Sequence, residues 1–171
     1  MEIKGQGFTL REWKESDVTA LQRNANNPNI SAFLLDRFPH PYTMDDAVWW
    51  VNLMLKQDPF LNFVIDVNSE LAGGIGIELR EDVYRKCALI GYWLGENYWG
   101  RGIMPEAVKL VVDYAFANFD IHRLHAGVFG NNPRSMRVLE KAGFVKEGVL
   151  KNAIVKNGIV LDEHVYGLNR D

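Results

Sequence analysis

The stretch that most constrains what this chain can fold into runs from Ile90 to Ala107, IGYWLGENYWGRGIMPEA. It reads as a strand, a loop with three glycines and the first turn of a helix. Cys87 to Leu94 is an apolar run of strand length, with aromatics suited to a buried strand. Gly95, Gly100 and Gly102 permit backbone conformations closed to other residues and let a ligand approach the main chain. Pro105 suits a helix's first turn, where its missing N–H costs nothing. Beyond it Ala107, Val108, Val111, Val112, Ala115 and Phe119 recur at helical spacing and form one apolar face. A glycine loop feeding a helix N-terminus aims free N–H groups and the positive end of the helix dipole at one spot, a ready anion site.

Two common anion motifs fail here. Gly95 to Gly100 has the spacing of a P-loop start, but Arg101-Gly102 replaces the required Lys-Ser/Thr. Gly100-Arg101-Gly102 would open a dinucleotide fingerprint, but Pro105 stands where the third glycine belongs. What the segment Tyr98-Trp99-Gly100-Arg101-Gly102-Ile103-Met104-Pro105-Glu106-Ala107 does resemble is the acetyl-CoA pyrophosphate loop of GCN5-related N-acetyltransferases (GNAT). The branch it looks most like contains the ribosomal-protein N-terminal acetyltransferases, RimJ and RimL. Leu10-Arg11-Glu12-Trp13, Ile90 to Leu94, Asn132-Pro133-Arg134-Ser135, Glu140 to Phe144 and Val160 to Tyr166 extend the resemblance over almost the whole chain, in the family's order.

Composition excludes several other classes. The 171 residues suit a single domain, 1–171, with a sizeable core. A net charge of −3 argues against a general nucleic-acid binder, which would normally be basic. One cysteine, Cys87, excludes an internal disulfide and suits a reducing compartment. No apolar run reaches the roughly 18 residues of a membrane span, and MEIKGQGF lacks the apolar core of a signal peptide. The expectation is a cytoplasmic protein that meets neither membrane nor nucleic acid; association into a homodimer is left open.

Read in order, Phe8 to Trp13 is a first strand, and Ser16-Asp17 caps a helix through about Asn26. Asn26-Asn27-Pro28-Asn29 breaks that helix. Thr43 with Asp46 forms a capping box opening a helix to about Gln57. Leu61 to Val67 and Leu71 to Leu79 are strands joined by a tight turn at Asn68-Ser69. Arg123 to Phe129 is another strand, and a short helix lies between Asn132-Pro133 and Gly143. Asn157-Gly158 between two β-rich runs signals a closing hairpin. The pattern is that of an α/β (α+β) domain with a mixed sheet. The resemblance implies the GNAT acyl-CoA N-acyltransferase fold: a mixed, mostly antiparallel sheet of about seven strands, about four helices and a splayed central strand pair.

The resemblance also implies roles. Acetyl-CoA, the cosubstrate, would lie between Cys87 to Leu94 and Arg123 to Phe129. Main-chain groups of Tyr92, Trp93 and Leu94 would pair with the pantetheine arm and polarise the thioester carbonyl. Backbone N–H groups of Trp99, Gly100, Arg101, Gly102, Ile103 and Met104 would hold the pyrophosphate. The Arg101 side chain would face a phosphate or simply solvent. Asn132 matches a pantetheine contact, and can equally cap a helix. Ser135 matches the serine that protonates the departing thiolate in this branch; where many relatives carry a tyrosine, this chain has Leu139.

The general base is harder to find. Many relatives carry a glutamate where this chain has Leu89, and Asn152-Ala153-Ile154-Val155 supplies no carboxylate in the hairpin. Glu78, Asp162, Glu163 and His164 remain, of which Glu78, on a strand beside the presumed site, is the chosen candidate. A site without a strong base suits an α-amine, about a third neutral near pH 7.4, over a lysine amine, only ~0.1% neutral. The acceptor is accordingly expected to be a primary amine, first a protein N-terminus, alternatively a polyamine, amino sugar or aminoglycoside. A non-catalytic acyl-CoA-binding module is the other reading. Phe38, Tyr42, Trp49 and Trp50 line the acceptor side or form helix core. His122 and His125, three apart on a strand, face opposite sides, so no metal is assigned.

Overall fold

The computed structural model describes all residues, 1–171. Eight strands form one sheet in the order β1-β2-β3-β4-β5-β6-β8-β7. They are β1 Glu2–Gly5, β2 Phe8–Arg11, β3 Asn62–Val67, β4 Glu70–Leu79, β5 Cys87–Leu94, β6 Arg123–Phe129, β7 Val145–Lys156 and β8 Ile159–Asn169. The helices are α1 Val18–Ala25, α2 Pro28–Ser31, α3 Met44–Met54, α4 Ile103–Asn118 and α5 Pro133–Lys141. The β5–β6 pairing is parallel; β1–β2, β2–β3, β3–β4, β6–β8 and β7–β8 are antiparallel. The chain groups into two compact units, one of Met1–Gly76 with Tyr92–Ile103, the other of Ile77–Gly91 with Met104–Asp171.

In the first unit the expected elements form, with local differences. The capping box at Thr43 is present: its hydroxyl oxygen accepts from Asp46 N at 3.1 Å, and Asp46 accepts from Thr43 N at 2.8 Å. The helix it starts ends at Met54 rather than Gln57. Asn68 and Ser69 make the tight turn, with φ of 55° and 67°. Asn27 caps the short α2 by accepting from Asn29 N, so Asn-Pro both ends one helix and starts the next. β1 is an addition to the strands read from the sequence, and α2 an addition to the helices.

The core of this unit gathers Trp13, Leu21, Tyr42, Val51, Val64 and Leu71. Phe38, Trp50 and Trp93 pack against it, with the rings of Phe38 and Trp93 5.7 Å apart and those of Trp13 and Trp50 6.2 Å apart. Most of the early aromatic cluster is therefore core, and only Trp49, 64% exposed, turns outward.

The Asp17 side chain does not cap α1. It is buried, and Arg11 reaches it with two hydrogen bonds, Nη2 to Oδ1 at 2.8 Å and Nη1 to Oδ2 at 2.9 Å. The same guanidinium donates from Nε to Asp66 at 2.6 Å, so one cation links β2, β3 and the start of α1. Lys14 N gives Asp17 a further donor at 2.8 Å.

In the second unit β5 pairs with β6 only through Cys87↔Arg123, Ala88↔Leu124 and Leu89↔His125. β8 follows β6 along its full length, from Arg123↔Asn169 to Phe129↔Glu163. Asn157 and Gly158, with φ of 50° and 75°, turn β7 into β8 as the sequence indicated. β7 is an edge strand with two register shifts, one between Lys146 and Gly148 and one between Leu150 and Ile154. In the second, Asn152 takes φ 56° and its N–H donates to Asp162 at 2.9 Å, while Lys151 pairs with the same carboxylate at 3.1 Å.

Removing half of a buried ion pair typically costs about 3–5 kcal/mol, because the remaining charge stays buried without a partner. Asp17→Asn is expected to cost less, about 1–3 kcal/mol, because Arg11 keeps Asp66 at 2.6 Å and loses only the charge-assisted character of its bonds to Asp17. Urea unfolding checks it: a lower midpoint at an unchanged slope is the expected outcome, and an unchanged midpoint refutes it.

Candidate active site

The glycine loop belongs to the first unit and is held by its neighbours there. Gly95 N donates to Ala72 O at 2.7 Å, fixing the point where β5 ends. Trp99 folds its indole back, Nε1 donating to Leu94 O at 2.7 Å. Glu96 accepts from Asn27 at 2.6 Å and from Asn29 at 3.1 Å, tying the loop to α2. Tyr98 OH lies 3.4 Å from Glu70, whose other oxygen is paired with Arg23. Gly100 and Gly102 hold φ of +74° and +73°, and a Cβ at either would meet nothing within 4 Å. Their requirement is conformational: a side chain there is strained by φ rather than by crowding.

Arg101 is exposed, but its side chain folds back over its own loop. Its Nη2 donates to Asn97 O at 2.8 Å and its guanidinium lies 5.4 Å from the centre of the Tyr98 ring. The loop thus carries a preset cation across its own turn. Tyr92 and Trp93 are half-buried and Leu94 is buried. Trp99 occupies the Leu94 carbonyl, one of the main-chain groups expected to face pantetheine. Helix α4 begins at Ile103, and the N–H groups of its first turn have no intrahelical acceptor.

The second unit carries the remaining candidates. Asn132 caps α5, its side-chain oxygen accepting from Ser135 N at 3.2 Å. That contact brings Asn132 and Ser135 together at the helix start, with Ser135 half-buried. Pro133 occupies the first helical position, and Gly143 (φ +93°) lies just past the end. Buried Leu139 anchors α5. Tyr166 OH donates to Glu140 of α5 at 3.0 Å. Burial first, then that hydrogen bond, pushes the Tyr166 hydroxyl up to about 12, so it stays a neutral donor. Tyr166 pairs with Ala126, which places α5 on the Ala126 face of β6.

The four candidates for the base separate clearly. Glu78 is exposed near the end of β4. Asp162 is engaged by Asn152 N–H and Lys151 in the β7 bulge, and the first of these contacts does most to hold its carboxyl below the usual range. His164 pairs with Val128, and its Nδ1 is buried without a hydrogen-bond partner. Glu163 is half-buried and its side chain makes no hydrogen bond or ion pair. Its carboxylate lies over β6: a Cβ built on Gly127 would stand 1.9 Å from Glu163 Oε1. That placement depends on the β6–β8 register, which no local sequence signal discloses.

Nearby on the same face, Arg123 donates to Glu147 at 2.8 Å across Gly167, and this bond is the largest influence lowering the Glu147 carboxyl. Burial, then Arg123 and Arg80, lower the pKa of His125, so its imidazole is neutral at pH 7.

Residues 8–145 match the acetyltransferase (GNAT) domain, and the chain belongs to that family. Among curated relatives, a probable N-acetyltransferase YjcK of Bacillus subtilis is 62% identical over 61 residues, 36% of this chain and 34% of that protein. A spermidine N(1)-acetyltransferase of Vibrio cholerae is 27% identical over 82% of this chain and 80% of its own. Among solved structures, RimL, a ribosomal L7/L12 alpha-N-protein acetyltransferase in complex with coenzyme A, superimposes with a TM-score of 0.87. It is 26% identical and is covered over 99% of its chain by all of this one. The protein is an acetyl-CoA-dependent N-acetyltransferase, and solved relatives hold CoA or acetyl-CoA.

Proposed function

We propose that this enzyme acetylates the α-amine of a protein or peptide N-terminus, using acetyl-CoA directly and without an acyl-enzyme intermediate. The observation that carries this reading is the end-to-end likeness to RimL, an alpha-N-protein acetyltransferase, over both complete chains. Amine chemistry agrees with it. An α-amine titrates at roughly 7.7–8.0 and needs little help to reach its nucleophilic form, whereas a lysine amine at roughly 10.4 needs a strong base.

In this reading the N–H groups of Trp99 to Met104 take the pyrophosphate, and Arg101 adds positive charge beside it. Main-chain groups of Tyr92 to Leu94 and the Asn132 side chain take the pantetheine arm. Ser135 donates its hydroxyl proton to the departing thiolate. Two carboxylates of the second unit, Glu78 and Glu163, are the candidates to take the acceptor's proton.

The similarity to a spermidine acetyltransferase favours a second reading, a polyamine acceptor. One panel separates the two: peptides with free N-termini, matched N-blocked peptides bearing one lysine, and spermidine, each assayed for CoA release with product mass at pH 7.4. The expected order is free N-terminus first. A faster lysine peptide or spermidine overturns the proposal.

Two variants test the assigned roles. Gly102→Asp is expected to abolish acetyl-CoA binding while the protein stays folded, because the substitution strains a φ of +73° and sets a negative charge against the pyrophosphate. Near-normal affinity by calorimetry in the folded variant removes the loop from the cofactor site. Ser135→Ala is expected to lower kcat and kcat/KM together by about 10²–10⁴, the usual worth of acid–base assistance, with acetyl-CoA affinity little changed. Steady-state kinetics with equilibrium binding checks this, and an unchanged kcat assigns the proton to water instead.

A further inference from the structure

We infer that Glu163 is the base that removes the proton from the acceptor amine, and that Gly127 is a glycine because its missing side chain makes the room for that carboxylate. The inference rests on the acetyl transfer proposed above.

Three observations carry it. First, Glu163 belongs to β8 but its carboxylate stands over β6, where a Cβ on Gly127 would lie 1.9 Å from Oε1. Gly127 does not have a positive φ and is exposed, so neither backbone conformation nor packing explains a glycine there. Second, the position is on an open length of strand. The β5–β6 ladder ends at Leu89↔His125, two residues, or about 6.6 Å, before Gly127. Third, Glu163 and Ser135 belong to opposite sides of β6. Helix α5, which carries Ser135, lies on the Ala126 and Tyr166 face, while Glu163 covers the Gly127 face.

That division suits acyl transfer. The amine nitrogen attacks the thioester carbon from one side and the sulfur leaves on another. Glu163 takes one proton from the ammonium; the nitrogen lone pair forms the C–N bond. The C–S bonding pair leaves on sulfur, which takes a proton from Ser135 O–H; the second proton of the attacking nitrogen returns to Ser135 through water, and Glu163 releases the first to solvent. The sum is R–NH3+ and acetyl-CoA going to the N-acetyl product, CoA–SH and one proton.

The charged neighbours leave Glu163 free for this. On its face of β6, β7 and β8, Arg123 is paired with Glu147, His125 is neutral at pH 7, and Glu163 alone is an unpaired carboxylate. From β5, Leu89 and Cys87 contribute no charged side chain on the paired segment.

The test uses the full chain and the acceptor from the panel that yields a confirmed acetyl product. Glu163→Gln is expected to lower kcat/KM by about 10² near pH 6.5. Without the base only pre-neutral amine reacts, so the deficit shrinks as pH rises through the α-amine's own pKa of roughly 7.7–8.0. A merely structural role would lower activity equally at every pH.

Gly127→Ala keeps the charge but displaces it. The atom it meets is the end of a flexible side chain, so the variant is expected to fold and to lose about 10² in kcat/KM, as small misplacements of a reacting group do. The double variant should be no worse than Glu163→Gln alone. A Glu163→Gln enzyme with the wild-type rate and pH profile overturns the inference, as does the same pH-dependent deficit appearing in Glu78→Gln instead. If the wild-type protein releases CoA with no amine in the panel, the proposed function falls first and this role with it.

Discussion

The short parallel contact between β5 and β6 is the constraint on which the rest depends. Parallel strands cannot be joined by a tight turn; the connection needs a dozen or more residues, usually a helix. Here α4 supplies it, so the chain leaving β5 must enter a helix N-terminus within a few residues. The glycine loop is the means of doing so, and an anion-binding turn is its direct consequence. The contact also ends after three residue pairs. From Ala126 onward β6 is held through β8, and that is where Gly127 and the carboxylate above it lie.

Charge in this protein is mostly spent on structure. Asp17 and Asp66 share Arg11, Glu96 holds two asparagines, Glu147 holds Arg123 and Asp162 holds a bulge. Each of these carboxylates is engaged by donors in the fold, and those bonds hold the Glu147 and Asp162 carboxyls below their usual range. The Glu163 carboxylate has no such donor. The hydroxyl of Tyr166, beneath the same sheet, is held in the opposite state, a donor that does not ionise.

Much of this was legible in the sequence because it is written locally. The loop, the Thr43 capping box, the Asn132 cap and the Asn157-Gly158 turn all depend on residues within a few positions of one another. β1 was not legible, since EIKG has neither the length nor the apolar alternation of a buried strand. Asp17 looked like a cap because its true partner, Arg11, acts together with Asp66, which lies 55 residues from Arg11. The same limit kept Glu163 from being singled out among the four candidates for the base. Its sequence neighbours say only that it is one acid in LDEHV, whereas its position over Gly127 follows from strand pairing across the β6–β8 ladder.

The irregular course of β7 has a consequence for how the protein behaves in a crowded solution. A twelve-residue edge strand carrying exposed Val145, Val149, Leu150 and Val155 is the kind of template on which other chains add strands. The kink at Asn152, latched by Asp162, cuts that template into two short pieces whose hydrogen-bonding rows do not run on from each other. A foreign strand can match one piece or the other but not both in register. Asp162 thereby holds in place the break that interrupts strand-on-strand stacking along this edge.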